Sequence, residues 1–324
     1  MIPLRELVSR FEGLKVGVAG DMMADHHVHG RPTRLSREAP VVVLQHEREF
    51  HLPGGAANCA ANLLSLGARV SLFGAVGKDA AGDELRAIFR KRGADVRGLL
   101  ADPGYRTITK MRILAGDSHR TKQQVIRIDR EPPGMDEALQ RRLAKAASGR
   151  VADAWLAPDY GYGAVGEGTL SALRRRARSS VVVGTSRYAL GRMTGLSAVT
   201  ANEAEALEAT GKKDAWVAGK ALLQKLKPSK ALLVTRGNLG MLLFEPGKPV
   251  VEIPASGSSE AVDVTGAGDT VCAVLTLALA AGASPMQAAL LANAAAGEVV
   301  MRPGAAVLSS EELLSAAERD GGRA

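Results

Sequence analysis

Short apolar strands alternate with helix-patterned segments along most of this chain, and glycines repeatedly close the helices. The switch from apolar runs of about five residues to longer 3.6-residue spacing restricts the chain to folds that layer helices on a sheet. Lys15–Ala19 reads as a short buried strand ending at Gly20 and Asp21. A helix is expected over 55–66, closed by Gly67, with the next strand over 69–74. Another helix over 80–92 stops at Gly93. Further strands are expected over 152–157, 180–183, 198–200, 231–235 and 241–244, the last two flanking a turn at 237–240. Helices over 268–281 and 285–301 follow. This alternation predicts a mostly parallel sheet covered on both faces.

Two stretches break the pattern. Residues 27–50 and 105–129 contain alternating or β-branched segments such as Val41-Val-Val-Leu44, Thr107-Ile-Thr-Lys-Met-Arg-Ile-Leu114 and Gln123-Gln-Val-Ile-Arg-Ile128. They are expected to form a small projecting sheet, whose apolar face must be buried against substrate or a second subunit. No long linker or internal repeat divides the chain, so residues 1–324 read as one domain with this sheet as its lid. With 46% hydrophobic but only 3% aromatic residues, the core is aliphatic. Cys59 and Cys272 sit in apolar helical contexts without paired spacing, so neither a disulfide framework nor a zinc site follows.

The net charge of +8 suits anionic substrates. Its densest run, Arg174-Arg175-Arg176-Ala-Arg178, reads as a solvated helix end that complements the macrodipole. No aromatics accompany it for stacking on bases, which argues against a nucleic-acid partner. The N-terminus lacks an apolar signal core, and the longest apolar stretch, 271–283, is too short to span a membrane. A cytoplasmic protein is expected, with a polar, frayed tail from about Arg319.

The most chemically pointed stretch reads Ala261-Val-Asp263-Val-Thr265-Gly266-Ala267-Gly268-Asp269-Thr270 and runs into an apolar helix. A Gly-Ala-Gly turn at a helix N-terminus gathers backbone N–H groups and partial positive charge at one point. A carboxylate fixed there suits a general base beside a transferring phosphoryl group. The plainer reading is a glycine-rich turn with Asp269 as N-cap.

Asp263-x-Thr265-Gly-Ala-Gly-Asp269 resembles the C-terminal signature of the ribokinase-like carbohydrate kinases, and Pro53-Gly-Gly-Ala-Ala-Asn58 through Gly67 resembles their N-terminal one. Gly20-Asp21-Met-Met-Ala-Asp25, Asn202-Glu-Ala-Glu205 and Thr235-Arg-Gly237-Asn-Leu-Gly240 fall in the family's order, so the similarity spans about 14–314. Within the family, Arg34-Leu-Ser-Arg-Glu-Ala-Pro40, Thr107-Ile-Thr-Lys110, Gln123 to Asp129 and Asp159-Tyr-Gly-Tyr-Gly163 look like heptose-7-phosphate kinases of lipopolysaccharide precursor synthesis. Bifunctional members carry a nucleotidyltransferase domain after the kinase, so this chain looks like the kinase-only form. The resemblance implies a three-layer α/β/α sandwich with a β-sheet lid, ATP and Mg²⁺, while the apolar pattern of the projecting sheet suggests a homodimer through the lid.

Roles follow residue by residue. A sugar hydroxyl is a weak nucleophile, so Asp269 is expected to take its proton while N–H groups of Gly266, Ala267 and Gly268 hold the phosphoryl oxygens. Asp21, at the end of a buried strand, is expected to accept from sugar hydroxyls, with a turn role as the alternative; Asp25 would extend that contact. Gly54 and Gly55 would admit the sugar close to the backbone, and Asn58 would bond it. Lys110 and Arg127 in the lid are candidates for the 7-phosphate, against ordinary exposed strand cations. His26, His27 and His29 read as a solvated loop.

Glu205 would hold Mg²⁺ through water, or merely decorate a helix surface. Asn202, Thr235, Gly237, Gly240, Thr265 and Gly268 are expected around the nucleotide. Asn293, by resemblance, lines the adenine pocket, with a core amide as the alternative. Thr185 stands where relatives carry an acid and Ala201 where they often carry proline, while Arg187 is offered to a phosphate or a surface ion pair. The expected activity is phosphorylation of heptose 7-phosphate at its anomeric hydroxyl. The alternatives are another sugar or nucleoside kinase and a non-catalytic sugar-phosphate binder.

Overall fold

Strand β1 (Lys15–Ala19) has four buried residues in succession and lies inside the main sheet, as an apolar run without alternation requires. The computed structural model describes residues 2–117, 122–257 and 261–321. Residues 118–121 of the second expected lid stretch lie outside it.

Along the chain, strands β2 (Met22–Leu35), β3 (Val42–Gly55), β4 (Arg69–Gly77), β5 (Asp95–Asp102), β6 (Ile108–Ala115) and β7 (Gln123–Arg130) come first. Strands β8 (Ala154–Asp159), β9 (Val181–Ser186), β10 (Ala198–Asn202), β11 (Ala231–Thr235), β12 (Met241–Phe244) and β13 (Val251–Ile253) follow. The main sheet has the order β13-β12-β11-β10-β9-β8-β1-β4-β5. Its pairings are parallel except β11 with β12 and β12 with β13.

Helices α1 (Leu4–Ser9), α2 (Ala56–Ser65), α3 (Ala80–Lys91), α8 (Ala267–Ala280), α9 (Pro285–Val299) and α10 (Ser310–Gly321) pack on one face. Helices α4 (Glu137–Ser148), α5 (Glu167–Arg176), α6 (Glu203–Thr210) and α7 (Ala215–Leu226) cover the other. The result is the expected three-layer α/β/α sandwich. Val16 and Val18 of β1 feed the first core and Ala19 the second, so one strand serves both layers.

The second sheet has the order β3-β2-β6-β7 and contains both expected lid stretches. It begins earlier than expected, because β2 starts at Met22 and β3 runs to Gly55. Three other expectations are corrected. The three histidines are not a solvated loop but lie on β2, His26 stacked on His51 at 4.3 Å and His27 on Phe50 at 5.3 Å. The arginine run ends α5 as expected, with Arg175 and Arg178 exposed, but it is only partly solvated: Arg174 donates to Glu167 and to the Arg192 carbonyl, and Arg176 lies 4.9 Å over the Trp155 ring. The chain is helical through Gly321, so it does not fray from Arg319, whose guanidinium pairs with Glu298.

Candidate active site

Helix α8 opens on Gly266 in the left-handed region, φ +79°, a conformation open to glycine at little cost. A Cβ there would meet the Asn58 side-chain nitrogen at 2.5 Å, so the position also lacks room. The turn places Asp269 in the helix's first turn, 8% exposed. Its carboxylate does not cap the helix. Asn58 Nδ2 donates to Oδ2 at 2.9 Å, while the Cys59 thiol at 3.4 Å and the Tyr160 hydroxyl both donate to Oδ1. Burial pushes the Asp269 carboxyl above its ordinary value, and these donors pull against that rise.

A polar relay supports Asn58. Thr270 Oγ1 donates to Asn62 Oδ1 at 3.0 Å, and Asn62 Nδ2 donates to the Asn58 main-chain carbonyl at 3.0 Å and to Asn58 Oδ1 at 3.4 Å. Asn58 and Asn62 are one turn apart on α2, so both face α8. This fixes the Asn58 amide before any ligand is considered.

Asp269 borders a cavity of about 330 Å³ with Tyr160, Thr185, Arg187, Asn202, Glu205 and Gly268. A second cavity, about 250 Å³ and mostly apolar, is lined by Gly237, Gly240, Met241, Asn293 and Val300 among others. Thr235, Val264, Gly268 and Val271 line both, so the two adjoin along the start of α8. A third cavity of about 700 Å³ lies under the lid, against Asp25, His29, Arg48, Arg112, Lys122 and Asp263. Chain alternation separates them: Asp263 and Thr265 face the lid cavity, whereas Val264 and Gly266 face the channel at Asp269.

The model of the pfkB family carbohydrate kinases matches residues 15–312. The chain belongs to the pfkB family of carbohydrate kinases. It is 40% identical to the bifunctional protein HldE of Caulobacter vibrioides over 97% of this chain and 65% of that protein. It is 38% identical to the HldE of Pseudomonas paraeruginosa, with the same coverage. The chain thus spans 65% of the length of these curated relatives. Among solved structures it resembles phosphofructokinase-2 from Escherichia coli in complex with substrates and products, at TM-score 0.77 and 15% identity, covering 94% and 99% of the two chains. A ribokinase described as putative from Agrobacterium tumefaciens matches at TM-score 0.74 and 21% identity, covering 96% and 100%. These likenesses establish the ribokinase-like fold, and the family makes this an ATP-dependent sugar kinase.

In this kinase, Asn202, Thr235, Gly237, Gly240, Gly268 and Asn293 all line the adjoining channel and apolar cavity. Asn293 also donates to the Pro254 carbonyl at 2.8 Å, so it is both cavity wall and satisfied amide. Thr265 instead faces the lid cavity. Of the three expected N–H donors, that of Ala267 is engaged by the Val264 carbonyl at 3.3 Å, which removes it from the set. Those of Gly266 and Gly268 have no protein acceptor among the described residues.

Asp21 shows the turn role that was its alternative. The residue is 1% exposed, and its carboxylate accepts from the backbone N–H groups of Tyr160, Tyr162 and Ala164 at 2.8, 3.2 and 3.0 Å. It therefore holds the 160–164 loop. Burial raises its pKa to about 6, against the lowering by these N–H donors. Asp25 sits beside the lid cavity and pairs with Arg112 at 2.5 Å. Gly54 leaves room for it, since a Cβ would lie 2.9 Å from Asp25 Oδ2; Gly55, at φ +54°, hands β3 over to α2.

Arg127 pairs with Asp129 at 2.9 Å on the exposed strand β7, and Lys110 is half-buried nearby. Neither lines the lid cavity, where Arg48, Arg112 and Lys122 are the lysines and arginines among the described residues. Glu205 and Asn202 form a capping box on α6, with Glu205 Oε2 accepting from the Asn202 N–H at 2.9 Å. Its second oxygen has no protein donor among the described residues and the side chain borders the channel, which fits one water-mediated contact to Mg²⁺. No group of three or more His, Cys, Asp or Glu residues is placed to hold a metal among the described residues. No helix among them is long and apolar enough to cross a membrane.

Sequence reasoning did not find Asn62, Cys59 or Tyr160 as partners of this site. Asn62 carried a signal, because two amides at i and i+4 in an otherwise apolar helix mark a buried polar stripe. Tyr160 carried none, since it reaches Asp269 from 109 residues away.

Proposed function

We propose that this kinase transfers the γ-phosphoryl of ATP to the anomeric hydroxyl of heptose 7-phosphate, giving the 1,7-bisphosphate. The observation that carries the reading is the buried Asp269 carboxylate, pinned by Asn58 beside the N-terminus of α8 and close to a mostly apolar cavity of about 250 Å³. Adenine enters the cavity near Asn293, and the phosphates lie along the channel past Thr235 toward Gly268. The Gly268 N–H and the helix N-terminus hold developing charge on the transferring group. Asp269 takes the proton as the sugar oxygen attacks in line. Glu205 would hold Mg²⁺ through water, and the bound ion would supply neutralisation of the phosphate charge.

The HldE relatives support the choice of a heptose phosphate. The lid cavity supports it too, because Arg48 lines it without a carboxylate pair among the described residues and is available to a sugar phosphate. Arg48→Ala is expected to raise the KM for heptose 7-phosphate about tenfold, the loss of one charge-assisted bond, with little change in kcat. Incubation with Mg-ATP and a panel of sugar phosphates, read as ADP release, tests the activity. Thermal stabilisation by a sugar phosphate without ADP release would defeat it.

The whole chain is taken as one cytoplasmic kinase unit whose partners are small molecules, with neither nucleic acid nor membrane involved. Its lid leaves Leu35, Val42, Val125 and Ile126 more than half exposed, apolar side chains that a second copy could cover. A homodimer through the lid is therefore expected by light scattering, and a monomer at micromolar concentration would remove it.

A further inference from the structure

Asp269 carries three donors that all belong to the protein. Two are immovable: Asn58 is 1% exposed and Cys59 fully buried, both on the first turn of α2 and facing α8. The third differs. Tyr160 is half-buried, stands on the loop that Asp21 holds, and lines the channel beside the very oxygen it bonds. A carboxylate offers about four lone-pair positions, and these donors fill three, two of them on Oδ1. An acceptor hydroxyl approaching from the channel meets Asp269 on the side that Tyr160 covers.

We propose that Tyr160 is a positioning residue that competes with the acceptor hydroxyl for Asp269 Oδ1, so that the base activates no water until a sugar displaces the phenol. The inference rests on Asp269 being the base, as proposed above. The backbone of the loop need not move, because Asp21 anchors the N–H of Tyr160 itself and rotation of the side chain suffices. With sugar in place, the acceptor O–H bond breaks and its proton passes to Asp269. The new O–P bond then forms as the bond from the γ-phosphorus to ADP breaks. With water instead, the same steps give ADP and inorganic phosphate, and the proton on Asp269 passes to solvent. Phenol and water compete for one lone pair, and the phenol is tethered, which gives it the higher local concentration.

Tyr160→Phe keeps the ring and removes the donor. ATP hydrolysis without sugar is expected to rise about tenfold, the worth of a hydrogen bond to a charged group. The KM for heptose 7-phosphate should fall, because the sugar no longer has to displace a bound donor. Loss of one charge-stabilising donor also moves the acid limb of the pH–rate profile upward. A lower kcat with unchanged hydrolysis and an unmoved acid limb would instead make Tyr160 a fixed orienter and overturn the proposal. Tyr160→Phe combined with Asp269→Asn should return hydrolysis to background. Full sugar phosphorylation by Asp269→Asn alone would place the fault in the base assignment, not in the tyrosine. A measurement on the unmutated chain stands independently of whether the variant folds. The protein has four tyrosines, so 3-fluorotyrosine labelling yields few ¹⁹F signals. One of them should shift when heptose 7-phosphate binds without nucleotide, and assignment of that signal to Tyr160 supports displacement. A Tyr160 signal that stays fixed at saturating sugar overturns it.

Discussion

Asp269→Asn is expected to lower sugar phosphorylation by about two orders of magnitude or more while leaving ATP binding nearly intact. An amide cannot take the proton, yet it is nearly the same size and can still accept from Asn58. The same substitution should leave the melting temperature unchanged or raised. Burial holds the Asp269 carboxyl above its ordinary value, so the folded protein binds that proton more tightly than the unfolded chain does. The ionised group therefore costs stability at every pH above the ordinary carboxylate range, and asparagine removes that cost. For the same reason the wild-type rate should fall, as pH is lowered, through a pKa above the usual carboxylate value. Steady-state ADP release across pH, with melting curves at neutral pH, checks both halves. Retained turnover would refute the base assignment, and a large loss of stability would show that asparagine had broken the Asn58 contact.

Gly266→Ala should be the most damaging change to the turn itself. The left-handed backbone at φ +79° costs an L-residue about 1–2 kcal/mol. The added methyl must also displace the Asn58 amide, 2.5 Å from where it would sit. Because Asn58 holds Asp269 Oδ2, the base loses its orientation, and misplacement on the scale of an ångström costs about 10²-fold in rate. Both a fall in kcat of that order and a lowered midpoint in urea are expected. Gly268→Ala is the control: a Cβ there meets nothing within 4 Å, so stability should hold and only the KM for ATP should rise. Equal behaviour of the two variants would contradict the account given for Gly266.

The main sheet was legible because its strands are short uninterrupted apolar runs between glycine-closed helices, and β1, β11 and β12 fall at the expected residues. Strand β5 was not legible. Gly98 and three charged residues break its pattern, and as the outermost strand it needs no continuous apolar run. Gly98 is there for packing, since a Cβ would lie 2.5 Å from the Phe73 ring. In the site, the glycine turn announced itself because its constraint is local. Pairings made across the fold did not. Nothing near Arg127 in sequence separates a phosphate ligand from a cation already held by Asp129, two residues on and on the same strand face. Asp21 likewise reads as a ligand at a strand end until the 160–164 loop, 139 residues away, is seen to use its oxygens.

The passage from β3 to α2 has a mechanical meaning. Gly55 is the last residue of a lid strand and also the residue that caps the helix carrying Asn58, three positions on. The lid and the clamp on the base are thus two arms of one lever with its fulcrum at a glycine. A tilt of the long arm over a bound sugar reaches the carboxylate through less than one helical turn of chain. With Asp269 as the proposed base, a lid that tilts over a sugar would also act on Asn58, so coverage and alignment would share one joint at Gly55.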